Sequence, residues 1–113
     1  MTEALSVSLE HGDERARLVV AGELDSLSRE DFVRAAIVGL EDSPLLEIDL
    51  SGVDFLDTVG LSGLVAVNNI ALADGKSAAI TSCSEQVARL LRLTGLSELI
   101  KDSTLISPRT RGR

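Results

Sequence analysis

The sequence predicts a single α/β domain with a mixed, mostly parallel sheet and a β-hairpin at its start. The chain has 113 residues, which is the commonest size of one domain. Hydrophobic residues make up 44% and charged residues 26%, a balance typical of globular proteins with a buried core. From residue 17 onward, alternating apolar segments are followed by segments with helical spacing. That order is typical of a parallel sheet.

The first two strands form the predicted hairpin. Residues 5–9 alternate between apolar and polar side chains, as a half-buried strand does. Residues 17–21 repeat this alternation, and the polar residues 11–14 between the two segments include a glycine. We therefore expect a turn at 11–14 that joins two antiparallel strands.

The first helix and the third strand follow. Ser28 is the predicted N-cap of the helix, and Pro44 ends it. The apolar stripe expected to face the core consists of Val33, Ala36, Ile37 and Leu40. Residues 46–50 then alternate as a third strand, and we expect residues 51–57 to be a loop.

A second helix is predicted from about Thr58 to Ala73, with Gly75 as its C-terminal cap. A short strand is expected at 77–81. Ser82, with an acidic residue three positions on, predicts the start of a third helix.

The third helix carries an apolar stripe and is expected to end at Gly95. Residues 98–106 could add a short strand or helix. We place the domain at 1–106 and a basic, disordered tail at 107–113.

Composition excludes several functions. The net charge is -7, and Trp and Tyr are absent, which disfavours binding to nucleic acid or to anionic membranes. One Cys and one His exclude an internal disulfide and an ordinary zinc site. The most apolar stretch, 59–73, is short of the ~20 residues that span a bilayer, and the start of the chain is not a signal peptide. We expect a cytoplasmic protein without a metal or other cofactor.

The segment 54–61 differs from an ordinary loop and helix start. Thr58 stands where the loop meets the helix, and capping is the simplest interpretation of its hydroxyl. The helix is apolar almost all round, so it is either buried on both sides or offers one side to a partner. Gly60 and Gly63 cost about 1 kcal/mol each relative to alanine, and they let another backbone come close.

Three motifs carry a family resemblance. Residues 49–61 resemble the signature of the bacterial anti-sigma factor antagonists, which have the STAS fold. Residues 22–25 and 94–96 are similar to two further landmarks of that family, in matching order and spacing. The likeness runs from about residue 18 to residue 106, most of the chain.

The resemblance implies a phosphorylation switch. In the family, an anti-sigma factor that is itself a serine/threonine kinase phosphorylates the hydroxyl at the position of Thr58. The unphosphorylated antagonist binds that kinase and frees the sigma factor, and a metal-dependent phosphatase restores the hydroxyl. The partner-binding residues that the resemblance implies are Asp25, Asp57, Thr58, Val59, Gly60, Leu61 and Leu64. Family analogy and small size favour a monomer.

Two positions depart from the family pattern. Thr58 stands where many antagonists carry Ser, and Val59 where they often carry a small polar residue. A threonine at this site resembles the fold's scaffold relatives in stress-signalling assemblies.

Two alternatives remain open. One is an aspartate-phosphorylated receiver or a small acid-base enzyme that uses Asp49, Asp54 and Asp57. The other keeps the fold and makes the domain a fixed subunit of a stress-signalling scaffold or a lipid-transport complex, with Thr58 as a contact. No nucleophile motif is present, so our main prediction is a binding protein and not an enzyme.

Overall fold

A computed structural model of the chain describes residues 5–95. Within that range, strands and helices alternate as predicted after an initial pair of strands. The elements are β1 (Ser6–Glu10), β2 (Ala16–Leu24), α1 (Arg29–Asp42), β3 (Leu45–Leu56), α2 (Thr58–Ala73), β4 (Ser77–Cys83) and α3 (Glu85–Thr94). The predicted element at 98–106 and the predicted tail at 107–113 lie outside the described residues.

The described strands form one mixed sheet in the order β1-β2-β3-β4. β1 and β2 pair antiparallel, with Val7 opposite Val20. β2 and β3 pair parallel, with Leu18 opposite Ile48, and β3 and β4 pair parallel, with Ile48 opposite Ile80. The predicted α/β class, the mostly parallel sheet and the initial hairpin are therefore confirmed.

One hydrophobic core joins the sheet to the three described helices. α1 and α2 pack against each other and against the sheet, and α3 packs against β3. Burying each large side chain contributes about 1.5–3 kcal/mol. The largest fully buried side chains are Phe32, Leu18, Leu24, Leu46, Leu50, Ile80, Leu91, Val20, Val53, Val67 and Val87.

The buried face of α1 differs from the predicted stripe. Phe32 is fully buried, whereas Ile37 is 38% exposed and Val33 is only half-buried. Gly39 also belongs to the buried face, and a Cβ added there would lie 2.8 Å from the Leu46 side chain. The helix is therefore rotated toward Phe32, because burying the aromatic ring and the close contact at Gly39 outweigh burying Ile37.

β3 is longer than the sequence predicts. The expected loop at 51–57 continues the strand as far as Leu56, which pairs with Leu24 of β2. The pairing of β2 with β3 includes register shifts, which allow the strand to run on past Gly52. As a result, the ends of β2 and β3 lie side by side where α2 begins.

α2 has the predicted bounds and packs unusually close to the end of β2. A Cβ added at Gly60 would lie 2.1 Å from the Leu24 carbonyl oxygen, a distance that no side chain tolerates. At Gly63 the added Cβ would lie 3.2 Å from Cγ of Arg29. The predicted close approach of a backbone is therefore made by this chain itself. No helix within residues 5–95 is long and apolar enough to span a membrane.

α3 begins at Glu85, and its N-cap is Ser84, whose hydroxyl accepts a hydrogen bond from the Val87 N–H at 3.4 Å. The predicted cap, Ser82, was wrong. Ser82 belongs to β4, and its hydroxyl donates to the Asp49 carboxylate on β3 at 2.6 Å.

Asp49 is a buried charge with several donors around it. Besides Ser82, its carboxylate accepts from the hydroxyl and the N–H of Ser51 at 2.7 and 2.9 Å, and from Arg17 at 2.9 Å. Burial acts to raise the pKa of Asp49, but the hydrogen bonds and the positive charge of Arg17 outweigh it, so the pKa lies below its ordinary value.

We predict that Gly60→Ala lowers the free energy of unfolding by about 2 kcal/mol or more, because the methyl group collides with backbone that cannot rotate away. Gly63→Ala is the matched control. Its methyl group contacts the flexible side chain of Arg29. The higher helix propensity of alanine offsets the cost of that contact by up to about 1 kcal/mol. Urea denaturation of both variants measures this, and equal losses would contradict the packing argument.

Asp49 should make stability depend on pH. Its lowered pKa means that the unfolded chain takes up this proton more readily, so the free energy of unfolding falls as the pH drops below about 5. We expect Asp49→Asn to be less stable at pH 7 and to lose less on acidification. Urea denaturation from pH 7 to pH 3 checks this, with the exposed Asp13→Asn as control. A wild-type acid response in Asp49→Asn would refute the assignment.

Candidate functional site

The candidate site lies where the turn after β2 meets the first turn of α2. The N–H of Asp57 donates to the Leu24 carbonyl at 3.4 Å, and Nε of Arg29 donates to the Ser62 hydroxyl at 2.8 Å. These two hydrogen bonds and the close packing at Gly60 hold Leu24 and Arg29, which flank the turn at 25–28, against the start of α2. The predicted residues Asp25 and Thr58 are brought into the same region of the fold by this arrangement.

Asp57, and not Thr58, caps α2. The Asp57 carboxylate accepts a hydrogen bond from the Gly60 N–H at 2.8 Å, and Thr58 is the first residue of the helix. The capping interpretation of the Thr58 hydroxyl is therefore wrong. Thr58 is exposed, and within residues 5–95 no group forms a hydrogen bond with its hydroxyl. The hydroxyl is accessible for chemistry or for contact with a partner.

The Asp25 carboxylate, like that of Asp57, accepts hydrogen bonds from nearby backbone N–H groups. Its Oδ1 accepts hydrogen bonds from the N–H groups of Leu27 and Ser28 at 3.0 and 3.2 Å. Ser28, the predicted cap of α1, makes no side-chain cap, and its hydroxyl donates instead to the Glu23 carbonyl at 2.8 Å. Asp25 therefore fixes the turn that precedes α1, in addition to any role that it has with a partner.

The predicted contact residues divide into exposed and buried groups. Val59 is 40% exposed, next to the exposed Thr58. Leu61 and Leu64 are only 4% and 3% exposed, and Gly60 is buried against β2. Leu61 and Leu64 are therefore part of the hydrophobic core and are not exposed to a partner in this structure.

Two apolar residues of this region were not singled out from the sequence. Phe55, near the end of β3, is 47% exposed, and Leu27, in the turn after β2, is 86% exposed. Phe55 lies within the segment 54–61 and Leu27 lies close to the motif at 22–25, but the exposure of a side chain cannot be inferred from its identity alone. We use the name Thr58 surface for the exposed residues of these adjoining segments, Leu27, Phe55, Thr58 and Val59.

Acidic residues lie in the same segments as the Thr58 surface. Asp54 is exposed, and Glu23, Asp25 and Asp57 are half-buried. Within the described part of the chain, no group of three or more acidic, histidine or cysteine side chains is arranged to hold a metal ion. An aspartate-phosphorylated receiver or an acid-base enzyme would need the carboxylates of Asp49 and Asp57 close together. The Asp49 carboxylate instead accepts hydrogen bonds from Arg17, Ser51 and Ser82 within the sheet.

Cys83 contributes no reactive group to the site. It is buried at the end of β4. Burial raises the pKa of its thiol, and the charge of Arg92 opposes this only in part, so the neutral thiol is favoured.

Comparison with solved structures places this fold among known proteins. A crystal structure of an anti-sigma factor antagonist from Mycobacterium paratuberculosis matches with a TM-score of 0.74 and 28% identity, over 87% of this chain and 84% of that one. The unphosphorylated form of the anti-sigma factor antagonist SpoIIAA matches with a TM-score of 0.63 over 83% of this chain and 84% of that one. At 18% identity, the second likeness concerns the fold alone.

Comparison of sequences gives the family. The anti-sigma-B factor antagonist of Bacillus subtilis (strain 168) is 29% identical over 100 residues, which cover 85% of this chain and 88% of that protein. The family model described as "Mlab, STAS domain" matches residues 7–101. That match covers most of the chain, which therefore belongs to the STAS domain family.

Proposed function

We propose that this protein is an anti-sigma factor antagonist whose activity is switched off by phosphorylation of Thr58. In its unphosphorylated form it binds an anti-sigma factor of the serine/threonine kinase type and thereby releases a sigma factor. The observation that carries the proposal is the exposed Thr58 hydroxyl, which the Asp57 cap leaves without a hydrogen-bond partner in the described chain. The names of the similar proteins from Bacillus subtilis and Mycobacterium paratuberculosis support it.

The proposed partner docks on the Thr58 surface. Exposed Leu27, Phe55 and Val59 provide apolar area around the hydroxyl. Aromatic and aliphatic side chains at the centre of an interface commonly supply most of its binding energy. The turn and the start of α2 are held rigidly by hydrogen bonds, so little ordering is needed on binding.

The modification is a phosphoryl transfer from ATP held by the kinase. The Thr58 oxygen attacks the γ-phosphorus, and a new oxygen–phosphorus bond forms. The bond from the γ-phosphorus to the bridging oxygen breaks, ADP leaves, and the hydroxyl proton passes to a base of the kinase. A metal-dependent phosphatase reverses the switch by hydrolysis, which returns the hydroxyl and releases inorganic phosphate.

Phosphate should end the binding without unfolding the protein. It adds about -1.5 to -2 charge at neutral pH, and the N-terminus of α2 favours a negative group. A docking partner would have to remove water from this charge beside Phe55 and Val59, with the Asp57 carboxylate close by. Burying unmatched charge costs several kcal/mol, and about 4 kcal/mol corresponds to a thousandfold loss of affinity.

We predict that candidate anti-sigma kinases with ATP add one phosphate to the chain, and that peptide mapping places it on Thr58. Thr58→Ala should remain unmodified and should still bind the kinase. Thr94→Ala is the matched control, because Thr94 is also exposed but lies at the end of α3. Phosphate on a residue other than Thr58 would refute the assignment.

Thr58→Glu should weaken binding to the same kinase by about a hundredfold or more, since the carboxylate carries part of the charge of a phosphate. Thr94→Glu has the same change in charge and should bind like the wild type. Titration calorimetry measures both constants. Wild-type affinity in Thr58→Glu would contradict the electrostatic explanation.

A second candidate function is that of a fixed subunit in a stress-signalling scaffold or a lipid-transport complex. The matching family model is described by a name other than that of the antagonists, and Val59 departs from their pattern. A pull-down from the native cell extract distinguishes the two candidates. The main proposal predicts a small ATP-binding kinase, whereas recovery of a transporter ATPase that is insensitive to Thr58→Glu would favour the second.

A further inference from the structure

Arg29, the first residue of α1, lies across the start of α2. Its Nε donates to the Ser62 hydroxyl at 2.8 Å. Its Cγ is 3.2 Å from the position that a Cβ on Gly63 would occupy, so the aliphatic stem passes over that glycine. The guanidinium is therefore held on α2 next to Ser62, on the exposed part of the helix.

The guanidinium has donors left for another group. Only the Nε–H is used in the hydrogen bond with Ser62, and arginine carries five N–H donors in all. Within residues 5–95, Arg29 forms no ion pair. The arginines that do pair with a carboxylate in that range are Arg15, Arg17 and Arg34.

The hydrogen bond with Ser62 holds the guanidinium about one helical turn from Thr58. Thr58 and Ser62 are four residues apart on α2, a spacing that places their Cβ atoms about 5–6 Å apart on one face of the helix. A phosphate on the Thr58 oxygen extends beyond the side chain. The remaining donors of Arg29 can then meet its oxygens while Nε stays on Ser62.

We infer that Arg29 is the intramolecular binding partner of a phosphate on Thr58. The inference rests on the proposed function, because it concerns the phosphorylated form of the same site. Arginine suits this task, since its planar fork binds two phosphate oxygens at once. It offsets the repulsion that the carboxylates of Asp57 and Asp25 exert on the phosphate. Arg29 is thus a positioning residue that holds the phosphate against the surface of the protein.

The inference is tested on a chain that carries phosphothreonine at position 58 by genetic encoding, so no kinase is needed. The phosphorus NMR signal is followed as a function of pH. A nearby positive charge favours the dianion, so the titration midpoint should move to higher pH in Arg29→Gln. Arg34→Gln is the matched control, because Arg34 is on the same helix but pairs with Asp31. Its midpoint should equal that of the wild type, and equal midpoints in all three proteins would overturn the inference.

A measurement on the wild-type chain avoids any effect of substitution on folding. The nitrogen and proton NMR signals of the Arg29 side chain should shift between the unmodified and the phosphothreonine forms, while those of Arg34 should not. Unchanged Arg29 signals would overturn the inference. If instead these signals shift but the phosphorylated chain still binds its kinase like the unmodified chain, the Arg29 contact stands and the proposed function fails.

Discussion

The hydrogen bond from the Gly60 N–H to the Asp57 carboxylate leaves the Thr58 hydroxyl exposed at the start of α2. Because Asp57 caps the helix, Thr58 becomes its first residue and keeps its hydroxyl free of the described chain. The same turn of the helix approaches β2 closely, and glycine at position 60 permits that approach to the Leu24 carbonyl. The Thr58 hydroxyl is therefore exposed and next in the chain to the Asp57 carboxylate.

The surroundings of that hydroxyl combine two opposite properties. Leu27, Phe55 and Val59 expose apolar surface that favours association, whereas Asp25 and Asp57 place carboxylates in the same segments. An uncharged hydroxyl is compatible with apolar contact, and a phosphate is not, because its water must be removed on docking. In the proposed switch, binding of the partner therefore depends on the charge at Thr58, and the fold need not change.

Much of the fold could be predicted from the sequence, in particular where neighbouring residues determine the bounds of a helix or strand. The bounds of α2 follow from the polar residues before it and from Gly75, which has a positive φ of 71°. The rotation of α1 toward Phe32 depends on packing against the sheet, which spacing does not encode. The contact of Ser82 with Asp49 depends on a register shift in the pairing of β3 with β4, where Ile48 lies opposite Ile80 and Asp49 opposite Ser82. Because α2 is apolar all round, its sequence also gave no means of telling buried Leu61 from exposed Val59.

In the proposed switch, the charge at Thr58 decides whether a partner binds. The most direct measurement is the dissociation constant of one anti-sigma kinase for the chain before and after complete phosphorylation at Thr58, with the fold of both forms checked by circular dichroism. We expect a loss of about a thousandfold with unchanged secondary structure. Equal constants for the two forms, or a loss that accompanies unfolding, would contradict the account.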